Sequence, residues 1–272
     1  MSQFLRPLAI FSSSWSRSCI TTRSSKQSRS FVKPLLWGAA VSIFSAAYAV
    51  QSTTIHLDAE PSPPDSEFEI DPATSIAFPK TLRIPSKFPL PQFSLVGVGV
   101  RTVSFLGIKV YSVGFYADLA DPNLNIPMTA TPDEKIEHIV RNTACAIRIV
   151  PTRGTSYSHL RDGFMRALTA RMQLAHTRAT ITPAEEPAAQ SSLRTLKSLF
   201  PTTSMSKGKP FDIVLLAPSR SPSRPRTLVL QDMGSVQNDW VAEEFVLAYF
   251  EGNGISPPLK KAVTERMQTF GK

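Results

Sequence analysis

Hydrophobic positions along this chain repeat with two different periods. In "LVGVGVRTVSFLGIKVYSVGFYAD", residues 95–118, apolar residues and glycines make two strand-length runs on either side of Gly107. The pattern predicts a β-hairpin of residues 95–105 and 108–116. "ACAIRIV", residues 144–150, predicts another strand, and "FDIVLLA" with "TLVLQD" a second hairpin around "SRSPSRPR", residues 219–226. That basic loop reads as solvated. In "TSYSHLRDGFMRALTARMQLAH" the period lengthens. Tyr157, Leu160, Phe164, Leu168 and Ala175 form one stripe of a long helix.

Other helices announce their starts. Thr131 precedes Pro132 and two acids, a capped first turn. Thr182-Pro183 opens a helix with Glu185 and Glu186 near its start, carrying Leu193, Leu196, Leu199 and Phe200 up to Pro201. Asn238 and Ser256 cap the last two. The order β-β-α-β-α-α-β-β-α-α predicts an α+β fold, an antiparallel sheet with helices on one side.

The first 92 residues have a different texture. Residues 1–33 hold six of the 30 Lys and Arg, many Ser and Thr, and no acid, the composition of a mitochondrial transit peptide or of a basic tail. Residues 34–50, "PLLWGAAVSIFSAAYAV", carry no charge for 17 positions, with Trp37 and Tyr48 near the ends. They are expected to form a transmembrane helix. The basic side before it and the acidic side after it place the N-terminus in the matrix and the domain in the intermembrane space. The alternatives are a signal peptide cleaved after "AYA" and a buried helix. Residues 51–92 are proline-rich and read as a tether, from which Phe88 and Phe93 could pack onto the domain. Residues 93–272 are then the folded domain.

Charge and cysteines remove several function classes. Much of the +9 net charge belongs to the leader, and no basic–aromatic pattern of nucleic-acid recognition appears. Two cysteines, Cys19 and Cys145, leave no disulfide framework. His56, His138, His159 and His176 lack metal-ligand spacing, so no metal site is expected.

Arg101 stands out against this background, a persistent cation inside a sheet-like run. Strict alternation puts Leu95, Gly97, Gly99, Arg101, Val103 and Phe105 on one face, and Lys109 with Tyr111 and Val113 on one face of the next strand. Gly97 and Gly99 leave floor space for a ligand or for another backbone. A buried cation needs a partner: an internal acid, the solvent edge, or a bound anion.

The stretch "GVGVR", Gly107 and "KVYSVGFY" resembles the first hairpin of the chalcone isomerase family. "RGTSYSHLRDGF" is similar to that family's Tyr-containing helix start, and "NDWVAEEFVLAYFEGNGISPPLKKAVTERM" to its last two helices. With the leader and span, the chain resembles the fungal mitochondrial branch, the altered inheritance of mitochondria proteins. The resemblance implies an open-faced β-sandwich, a large antiparallel sheet with helices on one side. In active members a phenolate adds to an enone within one molecule. Arg101 matches the family arginine that holds the phenolate, and Tyr157 the tyrosine that supports the carbonyl, making them the catalytic pair if the protein is active. Tyr111 stands where the family has threonine, and Phe164 where it has asparagine. Arg101, Tyr111, Tyr157 and Phe164 are therefore the expected ligand-binding set.

The two departures argue for a binder of an apolar acidic molecule over a catalyst, since one lost donor costs about 10²–10³ in rate at such sites. The resemblance names a fatty acid, or haem held through its propionates, with an axial ligand unassigned among His138, His159 and His176. No cofactor is required by the residues themselves. The alternatives are an intramolecular lyase, and a docking module of the inner membrane whose pocket is plugged by Tyr111 and Phe164.

Overall fold

A computed structural model describes residues 67–103, 106–219, 221 and 224–271. The expected transit peptide, the expected span and residues 51–66 lie outside the described residues. Among the described residues, no helix is long and apolar enough to cross a membrane.

Two hairpins build most of the sheet. The first joins β4 (Phe93–Val103) to β5 (Ile108–Ala117). Gly107 between them has φ +63°, a conformation glycine adopts without strain. The second pairs β9 (Phe211–Leu215) with β10 (Thr227–Leu230). β6 (Cys145–Pro151) lies between the two hairpins; β3 (Thr81–Leu82) and β11 (Gly234–Gln237) form the edges. The order β11-β10-β9-β6-β5-β4-β3 is antiparallel throughout. Two small sheets stand apart: β1 (Phe68–Ile70) with β2 (Ala77–Pro79), and β7 (Thr155–Ser156) with β8 (Ser204–Met205).

Of the five helices among the described residues, four open on a side-chain cap. α1 (Pro132–Asn142) opens on a reciprocal capping box: Thr131 Oγ1 accepts from the Glu134 amide, and the Glu134 carboxylate accepts from the Thr131 amide at 2.7 Å. α2 (Tyr157–Thr177), α4 (Asp239–Leu247) and α5 (Pro257–Thr269) are capped by Ser156, Asn238 and Ser256. α3 (Glu186–Leu199) starts later than Thr182 suggests. Thr182 and Glu185 make the same reciprocal exchange, but in a turn ahead of the helix. The helices bury their stripes on one face of the sheet, around Val113, Phe115, Ile147, Ile149 and Ile213.

The opposite face is covered by the chain that precedes β4. Proline shortens the strands here without preventing burial. Phe78, Leu82 and Ile84 pack on Phe93, Leu95, Val98, Tyr116 and Ala146. Gly114 makes room for this: a Cβ there would lie 2.8 Å from the Phe78 ring. Asp71, almost wholly buried, accepts from Ser112 Oγ at 2.6 Å and Thr74 Oγ1 at 2.7 Å, fastening the segment to β5. Residues 67–92 are thus part of the domain rather than a tether. Phe93 is buried, while Phe88 stays 38% exposed.

Two bulges overturn strict alternation. Register shifts between Leu95/Gly97 and Arg101/Thr102, and one extra residue moves every neighbour to the other face. Leu95 consequently packs on the far face while Val96 packs with the helices. Lys109 departs from Tyr111 in the same way: its ammonium donates to the Ala73 carbonyl at 2.5 Å.

The end of the basic loop is also not solvated. Arg226 is 4% exposed, and its guanidinium donates to the carbonyls of Val140 at 2.7 Å, Thr143 at 2.8 Å and Leu216 at 2.8 Å. It satisfies the end of α1, where carbonyls lack helical partners. Lys135 does the same for α5, donating to the carbonyls of Met267 and Phe270.

Candidate functional site

One face of α2, the turn end of the β4–β5 hairpin and the joint 251–255 enclose an open cleft of about 1610 Å³. Arg101, Tyr111 and Phe164 all line it. An open cavity beside Arg101 contradicts a pocket plugged by Tyr111 and Phe164.

Arg101 is half-buried. Its Nη1 donates to the Ile255 carbonyl in the joint ahead of α5. Among the described residues no carboxylate pairs with it. Next to it, Ser256 Oγ donates to the Val100 carbonyl at 2.8 Å, so the start of α5 is fixed on β4. The two glycines serve this contact. A Cβ on Gly99 would collide with the Leu259 backbone, and one on Gly97 would lie 2.9 Å from Val263 Cγ2. Of the two occupants that Gly97 and Gly99 allow, the structure chooses another backbone.

Tyr111 is 4% exposed, and its hydroxyl lies 3.3 Å from that of Tyr249. Burial pushes both phenols above their ordinary pKa; their mutual hydrogen bond and nearby Arg101 lower that of Tyr111, but less. Both stay neutral hydrogen-bonding groups. Phe164 is 3% exposed, with its ring 4.7 Å from Phe245 and 6.0 Å from Phe200. It presents an apolar edge to the cleft and belongs to the core behind.

Tyr157 is not brought to the site. Its ring stands edge-on to Phe211, 5.6 Å away at 81°, and its burial raises the phenol pKa. Thr155 and Ser156 line the cleft in its place. Tyr157 is instead one of the partly buried residues packed against the core, although Leu160 and Phe164 of the same stripe reach the cleft.

The cleft is markedly cationic. Five arginines line it (Arg101, Arg153, Arg166, Arg171 and Arg178) against Asp162 and Glu251. Arg171 pairs with Glu244 and Glu251, Arg178 pairs with Glu251 at 2.6 Å, and Asp162 pairs with Arg161 at 2.9 Å. Arg153 and Arg166 form no ion pair with a carboxylate among the described residues, though Arg166 stands near enough to Asp162 to help hold its carboxyl below the ordinary range. His159 also lines the cleft; His138 bonds Asn142, and His176 lies 3.5 Å from Glu186. Among the described residues no group of three or more potential ligands could hold a metal ion. Sequence reasoning missed Arg153, Arg166 and Tyr249. The first two had a signal: His159, Gly163, Arg166, Ala167, Ala170 and Leu174 recur at helical spacing, a small and polar face opposite the apolar stripe.

This large antiparallel sheet with helices on one face, and Arg101 in a cleft beside the first hairpin, is the arrangement the chalcone isomerase resemblance implies. The family model for chalcone isomerase-like proteins matches residues 91–138 and 130–264. The chain belongs to that family.

Among the relatives it is similar to are fungal proteins. An uncharacterized protein of Schizosaccharomyces pombe is 34% identical over 128 residues, 40% of this chain and 46% of that one. The mitochondrial protein named altered inheritance of mitochondria protein 18 is 24% identical over 203 residues in Debaryomyces hansenii, covering 64% of this chain and 66% of that one. In Saccharomyces cerevisiae it is 26% identical over 156 residues, 46% and 48% of the two chains. The chain thus spans between about half and two thirds of the length of these relatives. Among solved structures, a fatty-acid binding protein of Arabidopsis thaliana matches with TM-score 0.53 and 18% identity, covering 75% of this chain and 98% of that one. That likeness is one of fold.

Proposed function

We propose that this protein binds an apolar molecule with an acidic group, the acid on Arg101 and the apolar part along Leu160, Ala167 and Leu174. The observation that carries the reading is Arg101 itself: a guanidinium on the wall of an apolar-floored cleft, without a carboxylate partner among the described residues. A carboxylate would meet it with a forked, charge-assisted hydrogen bond. A fatty acid has this chemistry, and the fold-related plant protein is named for binding one. We place the protein in the mitochondrion, as its fungal relatives are named. The leader 1–33 and a span at 34–50 would hold it on the inner membrane, with the domain facing the intermembrane space.

Ring closure has weaker support. Tyr157 packs away from the cleft and Phe164 offers no donor, so two of the four family positions bring no polar group to a substrate carbonyl. A haem reading rests on His159, a cleft-lining imidazole that could ligate iron while Arg153 and Arg166 meet the propionates. Bound haem would supply redox or gas-binding chemistry.

The test is displacement of a fluorescent fatty acid from the full chain. Binding that weakens at least tenfold in Arg101→Ala supports the reading; equal affinity in both proteins sinks it. A Soret band lost in His159→Ala, with fatty acid failing to bind, would favour haem instead.

A further inference from the structure

Three turns come together at the mouth of the cleft. The register pairs Tyr111 with Pro151 and Ile149 with Phe211. The β4–β5 turn, the segment after β6 and the turn before β9 therefore lie at one end of the sheet. Hydrogen bonds tie them: Thr152 N donates to the Val110 carbonyl at 3.1 Å, Thr152 Oγ1 to the Lys109 carbonyl at 2.8 Å, and Gly208 N to the Pro151 carbonyl at 2.9 Å. This end has an apolar tip, with Leu106 70% and Val103 41% exposed. Exposed Arg153, Lys207 and Lys209 stand beside it. Residues 102–109, 151–156 and 204–210 contain no acid. Carboxylates close to this end are engaged elsewhere or set aside: Asp212 pairs with Arg148 at 2.8 Å, Asp71 accepts from Ser112 at 2.6 Å, Asp162 is paired with Arg161, and Asp232 lies in the turn after β10.

We infer that this end is a docking surface for an anionic phospholipid bilayer, with the β4–β5 tip entering the interface and the cleft opening onto it. An apolar tip alone holds a bilayer weakly, and a basic cluster alone holds it reversibly; together they give two signals. Each Lys or Arg near an anionic surface is worth roughly fivefold in partitioning. A folded protein partner would also accept an apolar tip. The acid-free basic collar favours lipid, because a uniform sheet of anions complements it without specific pairing. Val103, Arg153 and Ser204 belong both to this surface and to the cleft lining, so an apolar ligand would pass between bilayer and cleft without crossing water.

The test uses the full chain with Cys19→Ser and Leu106→Cys, labelled at the new thiol with a polarity-sensitive fluorophore. Cys145 is fully buried and takes no label. The probe reports the tip's surroundings, so an anchor elsewhere in the chain does not contribute. Emission is expected to move to shorter wavelength on phosphatidylcholine vesicles containing phosphatidylglycerol, and to stay unchanged on phosphatidylcholine alone. Arg153→Glu with Lys207→Glu and Lys209→Glu should abolish the shift, as should about 1 M salt, where screening acts over about 3 Å. If the triple variant fails to fold, the salt titration of the labelled chain decides. An unmoved probe on anionic vesicles overturns the inference. So does an equal shift on both vesicle types, a shift indifferent to salt, or one evoked by an acidic protein and not by lipid.

Discussion

Arg101 and Tyr111 are register partners across the β4–β5 pair, so the cation and the buried phenol reach the cleft from opposite strands of one hairpin. Arg101 is held from beyond by the Ile255 carbonyl, and Tyr111 by the Tyr249 hydroxyl. Each is positioned by the helical layer, which makes the site sensitive to how that layer sits on the sheet.

The tyrosine pair should behave as a unit. Tyr111→Phe leaves the Tyr249 hydroxyl without its partner in a dry core and is expected to cost about 1–3 kcal/mol. Removing both hydroxyls should cost less than the two single changes together. Urea unfolding of the two single variants and the double variant measures this; strict additivity would show that the 3.3 Å contact carries no coupling.

The glycines of β4 and α2 should respond in opposite directions. Gly99→Ala forces the chain against the Leu259 backbone and is expected to destabilise by about 1–3 kcal/mol. Gly163 has open space around it, so Gly163→Ala should stabilise α2 by about 0.8–1 kcal/mol. Gly163→Leu should keep the fold and weaken fatty-acid binding, because its side chain would enter the cleft. Thermal melts and ligand titration of the three variants separate packing from access.

Asp71→Ala removes the acceptor shared by Ser112 and Thr74. The expected result is a loss of about 1–3 kcal/mol and faster protease cleavage within residues 67–92, with the sheet core intact. Unchanged cleavage would mean that Phe78 and Leu82 hold the segment without the carboxylate.

Burial pushes the Cys145 thiol up from 9.0 to about 12. A thiol held protonated in the fold ionises more readily when unfolded. Its contribution to stability is therefore full below about pH 9 and is lost as pH rises toward 12. In a Cys19→Ser background, Cys145→Ala should flatten that fall, read from urea midpoints between pH 8 and about 10. The native thiol should also resist alkylation at pH 8.

Local signals were the legible ones. The hairpin around Gly107 and the caps at Thr131, Asn238 and Ser256 each follow from a few neighbouring residues, and the structure keeps them. Arg101 stood out as a cation inside an apolar run, and Tyr111 and Phe164 were singled out by the family pattern. What failed depended on distant partners. The bulge at Val96 swaps the faces of Leu95 and its neighbours, and a two-residue period cannot foresee it. Prolines made residues 67–92 look like a tether, although Phe78 had a place waiting over Gly114. Arg226 sits in a run of serines, prolines and arginines, and the α1 carbonyls it caps, Val140 and Thr143, lie more than eighty residues away. Tyr157 matched by position, yet its helix turns the ring toward Phe211.

The hold on Arg101 has a kinetic corollary. Its partner is a neutral carbonyl fixed at the joint of α5. Under the proposed reading, an arriving carboxylate would have no carboxylate among the described residues to displace and would find one edge of the guanidinium already held by the Ile255 carbonyl. Loading would then be an addition rather than an exchange, with the rotational freedom of a long side chain given up during folding instead of at encounter. Such an anchor suits rapid capture and release of scarce, poorly soluble cargo.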